Sequence, residues 1–305
     1  MKKSASLIPT ILLAAGAALP LPAHADVTAS AILDVSQVRI LRADGTPYSQ
    51  SDFAEVSSVL NEAYVSYRNG TTIEYNTVSP TIEQVDIPGI CIGLPCPVTS
   101  ENNFAPLSGS PGGYFSNVDQ RQLGSLLAGD LHLQARSDSS AQSTANGIWG
   151  GTAWSGVEFR FRLNQPETMT FEFDATPYLQ LSRPTAAESP IEQSSASIGF
   201  VISLFNLSNE EWVLFFDPKE LFTRLEFGSQ TQVGNLVYDP GTMSFSVNSG
   251  VLYGGPYLLS IGIAATTYIS AVPEPSSLAM LGTGLVSLLA LGWRRKLPVI
   301  RSTSG

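Results

Sequence analysis

Apolar and polar residues alternate along several short stretches in the second half of the chain. Residues 157–163 place every second side chain on an apolar face, and residues 169–174 repeat this pattern with acidic residues in between. Such alternation is typical of β-strands with one buried face. Turn sequences such as Asp239-Pro240-Gly241-Thr242 separate the apolar runs at intervals of about 8 to 12 residues. The pattern therefore predicts an all-β body, an antiparallel β-sandwich of jelly-roll-like character.

The two alternating runs also predict a specific pairing. Because only residues 164–167 separate them, we expect the runs to form a hairpin. Arg160 and Arg162 would then face Glu172 and Asp174 on the solvated side of the sheet, where opposite charges stabilise strand pairing. The alternative for the two neighbouring carboxylates is a role in glycoside hydrolysis.

Residues 51–68 fit two kinds of secondary structure. Asp52 and Glu55 resemble a capping box, and the apolar positions that follow fit a helical period. The end of the segment alternates instead and runs into Asn69-Gly70, which is a strong hairpin turn signal. We expect a helical turn or short helix at the start and a hairpin centred on Asn69-Gly70.

Two other segments of the first half are predominantly polar or rich in turn residues. Residues 79–113 are predicted to form a long loop. Residues 137–146 are polar and low in complexity. They are a candidate linker or exposed long strand, and a candidate boundary if the body, residues 26–271, consists of two domains rather than one.

The N-terminus has the features of a secretory signal peptide. Lys2 and Lys3 precede an apolar stretch over residues 7–21, which ends in Ala23-His24-Ala25. This is an A-x-A cleavage pattern, and cleavage after it would remove residues 1–25. The alternative is a retained N-terminal anchor.

Three features follow one another at the C-terminus. They are the triplet Pro273-Glu274-Pro275, an uncharged apolar run over residues 278–293, and the basic cluster Arg294-Arg295-Lys296. As a single transmembrane helix the run would be about 24 Å long, at the short end of what crosses a bilayer. The basic cluster would stay cytoplasmic with the short tail 297–305, which places the body outside.

This order of features, over residues 272–296, resembles the PEP-CTERM sorting signal of Gram-negative bacteria. The resemblance implies passage through the secretion machinery, a transient stay in the inner membrane, and recognition by exosortase, an integral-membrane transpeptidase-like enzyme. It implies release or transfer near the Pro-Glu-Pro triplet and an association with exopolysaccharide and the biofilm matrix. A plain C-terminal membrane anchor with a proline-rich hinge is the alternative interpretation.

The charge of the body narrows the range of partners. Residues 26–271 contain 10 Lys and Arg against 25 Asp and Glu, a formal charge of −15. A surface this acidic repels nucleic acid and anionic lipid, and we find no basic stripe that would reverse the repulsion. Neutral polysaccharide and cations are not repelled. The acid excess leaves calcium binding possible in principle, although the chain has no EF-hand-like loop.

The two cysteines, Cys91 and Cys96, lie among prolines and glycines. In an exported protein such a pair predicts a local disulfide that fixes the shape of a loop. A redox pair would have C-x-x-C spacing at a helix N-terminus.

Few other residues suggest chemistry. A Ser-His-Asp triad would have to use His132, the one histidine of the body, and no nucleophile-elbow motif accompanies it. Trp149 and Trp154 could offer flat faces to sugar rings, although tryptophan in a sandwich more often belongs to the core. The sequence contains no phosphate-binding loop and no dinucleotide fingerprint, so it predicts no cofactor.

The sequence therefore favours a non-catalytic exported protein of the cell surface or exopolysaccharide matrix, with a structural or adhesive role. A carbohydrate-binding module that uses Trp149, Trp154 or the cysteine loop is the first alternative. A secreted hydrolase is the second.

Overall fold

The computed structural model describes residues 27–70, 72–81, 84–94, 96, 101–107, 113–142, 147–184, 191–229 and 231–271. Within these residues the secondary structure is β-strand apart from one 3₁₀ turn at Gln50–Asp52. The strands are β1 (Val27–Leu41), β2 (Phe53–Gly70), β3 (Thr72–Thr81), β4 (Asp86–Leu94), β5 (Tyr114–Leu123), β6 (Leu131–Ala141), β7 (Gly147–Leu163), β8 (Glu167–Arg183), β9 (Ile191–Asn206), β10 (Glu211–Phe216), β11 (Arg224–Phe227), β12 (Gly234–Tyr238), β13 (Met243–Leu252) and β14 (Pro256–Ala271).

The strands form two antiparallel sheets of seven strands each, as far as the described residues go. The first, sheet A, has the order β12-β8-β1-β6-β5-β4. β13 also pairs with β8, on the edge opposite β1 that it shares with β12. The second, sheet B, has the order β10-β9-β14-β7-β2-β3, and β11 joins β10 along the free side of β9. The predicted all-β, antiparallel fold is confirmed.

The two sheets pack face to face around one apolar core. Side chains from the inner faces of both sheets form a single buried cluster. Phe173 of sheet A and Phe200 of sheet B meet in it with ring centroids 4.4 Å apart. Burial of these side chains, which alternate with outward-facing polar residues, provides the main drive for folding.

The structure contains the helical turn expected at the start of residues 51–68, but no longer helix. Only the 3₁₀ turn at Gln50–Asp52 is helical, and Phe53 already begins β2. The capping box is formed by Ser49 and Asp52 rather than by Asp52 and Glu55: the Asp52 carboxylate accepts the Ser49 N–H at 2.7 Å, and the box caps a single turn. Pairing with β7 along nearly its whole length holds β2 extended and overrides the local helical preference. The predicted hairpin is present, but Asn69 still pairs with Thr72, so the turn lies one residue later than Asn69-Gly70.

The hairpin expected between residues 157–163 and 169–174 is also wrong. These residues belong to β7 and β8, which lie in different sheets, so the short link between them crosses the sandwich. Because β7 and β8 have other neighbouring strands than expected, their charged residues form different ion pairs. Arg162 is 4.0 Å from Glu55, and Glu172 is 3.4 Å from Arg39.

The remaining segments also differ from a simple loop pattern. The predicted long loop contains the edge strand β4. Residues 137–141, the first part of the candidate domain boundary, are buried within β6, and strands before and after this segment contribute to both sheets.

Both chain ends lie outside the described residues. This applies to the predicted cleavage residues Ala23 and Ala25, to the transmembrane run, and to the sorting residues Pro273, Glu274, Pro275, Arg294, Arg295 and Lys296. In the part of the chain that the structure covers, no helix is long and apolar enough to cross a bilayer.

Candidate functional site

The two tryptophans proposed as sugar contacts lie on opposite faces of sheet B. Trp149 and Trp154 are both in β7, where residues an odd number of positions apart point to opposite sides. Trp149 is only 6% exposed and contacts the ring of Tyr114, with centroids 5.1 Å apart. Trp154 lies on the outer face. The structure therefore excludes a single sugar ring that contacts both indoles.

Trp154 forms an aromatic platform together with Tyr64. Tyr64 is its cross-strand partner on β2, and the two rings stack with centroids 5.6 Å apart and an angle of 17° between their planes. The indole lies over Gly156 and Gly262, where a Cβ would come within 2.6 Å and 3.4 Å of its atoms. Glycine at these two positions thus provides the space in which the indole rests. Tyr64 is 37% exposed, so part of the platform is open to solvent.

A row of hydroxyl side chains crosses sheet B beside this platform. The hydroxyl row consists of residues that are directly paired on successive strands: Ser197 on β9, Thr266 on β14, Thr152 on β7 and Ser66 on β2. The hydroxyls of Thr152 and Thr266 are 3.1 Å apart. The row continues on β3 to Tyr75, which is 69% exposed. Sugar hydroxyls find both donors and acceptors in such a row.

The next row of the same face contains a cation. Tyr268, Gly150 and Arg68 are paired across β14, β7 and β2. A depression of about 210 Å³ is lined by Arg68 and Tyr268 together with members of the hydroxyl row. A second depression of about 320 Å³ shares Thr266 with it and extends towards Phe222 and Arg224. The two depressions, which share Thr266, and the Trp154–Tyr64 platform beside them are hereafter called the sheet B groove.

Acidic residues flank the opposite side of the platform. Glu62 is paired with Gly156, and Glu158 lies on the same outer face one row further. Burial and then the nearby Glu158 raise the pKa of Glu62 above its usual value. Along the strands, Arg68 therefore lies on one side of Trp154, and Glu62 and Glu158 lie on the other, with Arg160 beyond them.

The carboxylates considered for glycoside hydrolysis occupy a different surface. Glu172 and Asp174 lie side by side on the outer face of β8, where they line a depression with Gln37, Arg39 and Ser244. Asp174 accepts a hydrogen bond from Ser244 at 2.6 Å, and Glu172 pairs with Arg39. The two carboxylates do not face each other across a cleft, as hydrolysis of a glycosidic bond between them would require.

His132 belongs to a hydrogen-bonded cluster on the outer face of sheet A. Its Nε2 lies 2.7 Å from Asp34 Oδ1, and Gln134 donates to the other oxygen of Asp34 at 2.8 Å. Among the described residues, no serine hydroxyl hydrogen bonds to this histidine. The same part of the chain contains no group of three or more His, Cys, Asp or Glu arranged to hold a metal ion.

Cys91 and Cys96 form the predicted disulfide, with their Cα atoms 6.0 Å apart. Cys91 lies on the edge strand β4, so the bond holds the end of that strand to the segment that follows it. This part of the chain is next to residues 101–107, which cover the outer face of β5 and β6 through hydrogen bonds from Asn102 to Asp119 and from Arg136 to Asn103.

Comparison with protein families identifies the C-terminus. The model for the PEP-CTERM protein-sorting motif matches residues 271–296. The chain carries a PEP-CTERM sorting motif. The motif implies exosortase-dependent sorting of an exported protein, as the sequence predicts. The match begins at Ala271, which is also the last residue of β14. Neither the curated proteins nor the solved structures contain a match to the chain.

Proposed function

We propose that this PEP-CTERM protein is a non-catalytic component of the cell surface or the extracellular polysaccharide matrix, where its sandwich acts structurally or adhesively. The observation that carries the proposal is the junction between body and motif. β14 is a middle strand of sheet B, and the sorting motif begins at its last residue. Processing at the motif would thus deliver an intact folded body.

The character of the body supports a non-catalytic role. The depressions described above are shallow surfaces on the sheets, whereas enzyme active sites are usually deep and enclosed. The carboxylates of β8 pair with Arg39 and Ser244 and are not held apart for acid and base roles.

The test of sorting is the intact mass of the protein from culture supernatant and from membranes, with and without exosortase. We expect a species that begins at Asp26 and ends near residues 273–275, and its loss when exosortase is absent. A species that reaches Gly305 and stays in the inner membrane in both strains would contradict the proposal, because the motif would then act only as an anchor.

Carbohydrate binding is the second candidate function, and the sheet B groove favours it. An aromatic platform beside a row of hydroxyls matches the two faces of a pyranose ring, since the ring stacks on aromatic groups and its hydroxyls hydrogen bond. An adhesive role in a polysaccharide matrix needs such a contact. Trp154, Tyr64 and the hydroxyl row are the residues that would make it.

This candidate is tested by cosedimentation of the full-length chain, purified in detergent, with insoluble polysaccharide. Trp154→Ala should remove the retained fraction. Trp212→Ala is the matched control, because Trp212 is 62% exposed and lies on the edge strand β10 outside the groove, where it contacts Phe205. Equal retention of the two variants would show that the groove is not the binding surface.

A further inference from the structure

The ion pairs of the body leave few cations without a carboxylate. Six of its ten basic side chains are paired with Asp or Glu within 4.0 Å. Arg183 is fully buried and donates to the carbonyls of Ser229 and Ile191. In the described part of the chain, Lys219, Arg68 and Arg160 have no carboxylate within ion-pair distance. In a body with 25 acidic residues, an unpaired arginine is an exception.

Arg68 is the one of these three that lines the sheet B groove. It shares the first depression with Tyr268, Ser66, Thr152 and Thr266. Arg68 as a residue is half-buried there. Where protein shields a guanidinium from water, it attracts a carboxylate more strongly than an exposed one does, because the surrounding protein lowers the effective dielectric constant.

We propose that the sheet B groove binds an acidic polysaccharide, with a sugar carboxylate paired to Arg68 and a neighbouring pyranose ring stacked on Trp154. The proposal rests on the carbohydrate-binding candidate above and names its ligand class, a polymer that contains uronic acid or an equivalent carboxylated sugar. The hydroxyl row between the two contacts would hydrogen bond to the sugar hydroxyls.

The spacing of the groove fits a chain of sugars better than a single one. Arg68 and Tyr64 are four residues apart on β2, which is about 13 Å along a strand. A carboxylate at Arg68 and a ring on Trp154 therefore belong to different sugar residues of one oligosaccharide. The hydroxyls of Thr152 and Ser66 lie in the row between these two contacts.

The charges also orient the ligand. Glu62 and Glu158, on the far side of Trp154, repel a carboxylate, whereas Arg68 attracts one. Arginine suits this role, because its planar fork of donors matches both oxygens of a carboxylate. The net charge of the body opposes long-range attraction of an acidic polymer, so binding has to depend on this local contact rather than on the overall field.

The experiment measures binding of the full-length chain, purified in detergent, to two soluble polymers of matched length, acidic polygalacturonate and neutral dextran, by titration calorimetry. Arg68→Gln is compared with Arg160→Gln. Arg160 is the matched control, because it lies on the same outer face of sheet B without a carboxylate partner but near the other end of β7, outside the groove. Trp154→Ala is the third variant.

We expect Arg68→Gln to weaken polygalacturonate binding about tenfold or more, while Arg160→Gln leaves it unchanged. Binding should also weaken at high salt. Equal losses in the two arginine variants would overturn the proposal in favour of unspecific charge attraction. If dextran binds at least as tightly as polygalacturonate and its binding does not respond to Arg68→Gln, the acidic ligand is overturned. Carbohydrate binding as such would then still hold. If Trp154→Ala changes binding to neither polymer, or if neither polymer binds at all, the acidic ligand and the carbohydrate-binding function are both overturned.

Discussion

The Arg136 Nε donates a hydrogen bond of 2.5 Å to Oδ2 of Asp138, two residues along the same strand, and both side chains are at most 1% exposed. The carboxylate also accepts hydrogen bonds from Ser30 at 2.6 Å and from Asn117 at 3.0 Å. Arg136 in turn donates to the carbonyl of Asn103. One buried ion pair thereby links β1, β5, β6 and the covering segment 101–107.

Asp138→Ala should lower the free energy of unfolding by about 3–5 kcal/mol, because it leaves the buried guanidinium without a counter-charge. Urea denaturation measures the change. Glu172→Ala is the control, since its pair with Arg39 is solvent-exposed and should contribute at most about 1 kcal/mol. Equal losses in the two variants would contradict a structural role for the buried pair.

Asp119 should make stability depend on pH in the weakly acidic range. Burial raises its pKa from the usual 3.8 to about 6, and the nearby Asp86 contributes to the rise, against the lowering effects of the Asn102 and Gln120 N–H groups and of Arg136. Because the folded pKa exceeds the unfolded one, the folded state binds the proton more readily between about pH 4 and 6. The contribution of this carboxyl to stability therefore increases as the pH falls through about 6 and is lost as the pH rises.

Asp119→Asn should remove this dependence, since the amide keeps an acceptor for the Asn102 N–H and does not titrate. Thermal unfolding between pH 4.5 and 7.5 would compare it with Asp239→Asn, a change at an exposed residue between β12 and β13. We expect the wild type and the Asp239 variant to share one slope and the Asp119 variant to gain stability at pH 7. Identical slopes in all three would show that Asp119 ionises normally.

Replacement of Cys91 and Cys96 by serine should lower the free energy of unfolding by about 2 kcal/mol, the loop-entropy contribution of so short a loop. The end of β4 and the segment after it should also become more sensitive to protease. Urea denaturation and limited proteolysis, each with and without reductant, measure these effects. Reductant should act on the wild type and leave the double variant unchanged, and any effect on the double variant would point to a cause other than the disulfide.

Gly156→Ala should displace the Trp154 indole, because the new methyl group would come within 2.6 Å of it. Overpacking of this kind costs about 1–3 kcal/mol. Gly254→Ala is the control outside the sheet B groove, since a Cβ there meets no atom within 4 Å. Tryptophan fluorescence should shift, and polysaccharide binding should weaken, in the first variant alone. An unchanged spectrum would mean that the indole does not rest on Gly156.

The features that could be predicted from sequence are those encoded by neighbouring residues. The alternation in β7 and β8, the hairpin between β2 and β3, the Cys91–Cys96 bond and the sorting motif all depend on short segments. The start of β2 could not be predicted in this way, because its apolar positions fit both a helix and a strand. Its pairing with β7, a strand about 100 residues away, decides between them.

The sheet B groove could not be predicted either, because its residues are far apart in the sequence. Thr152 and Thr266 become neighbours only through the register of β7 and β14, and Arg68 joins them only through that of β2 and β7. No single segment contains the hydroxyl row. The separation of Trp149 and Trp154, by contrast, follows from their odd spacing as soon as residues 147–163 are known to form one strand.

The position of β14 has a consequence for quality control during export. It lies between β7 and β9, so these two strands have no common partner in sheet B until the last 16 residues of the body, Pro256–Ala271, have been made and exported. A chain that ends before this strand leaves two half-sheets with open edges, which cannot close around the core. Such a chain also lacks the sorting motif. Truncated products are therefore unfolded and unsorted at once, and every chain that presents the motif also contains the strand needed to complete its fold.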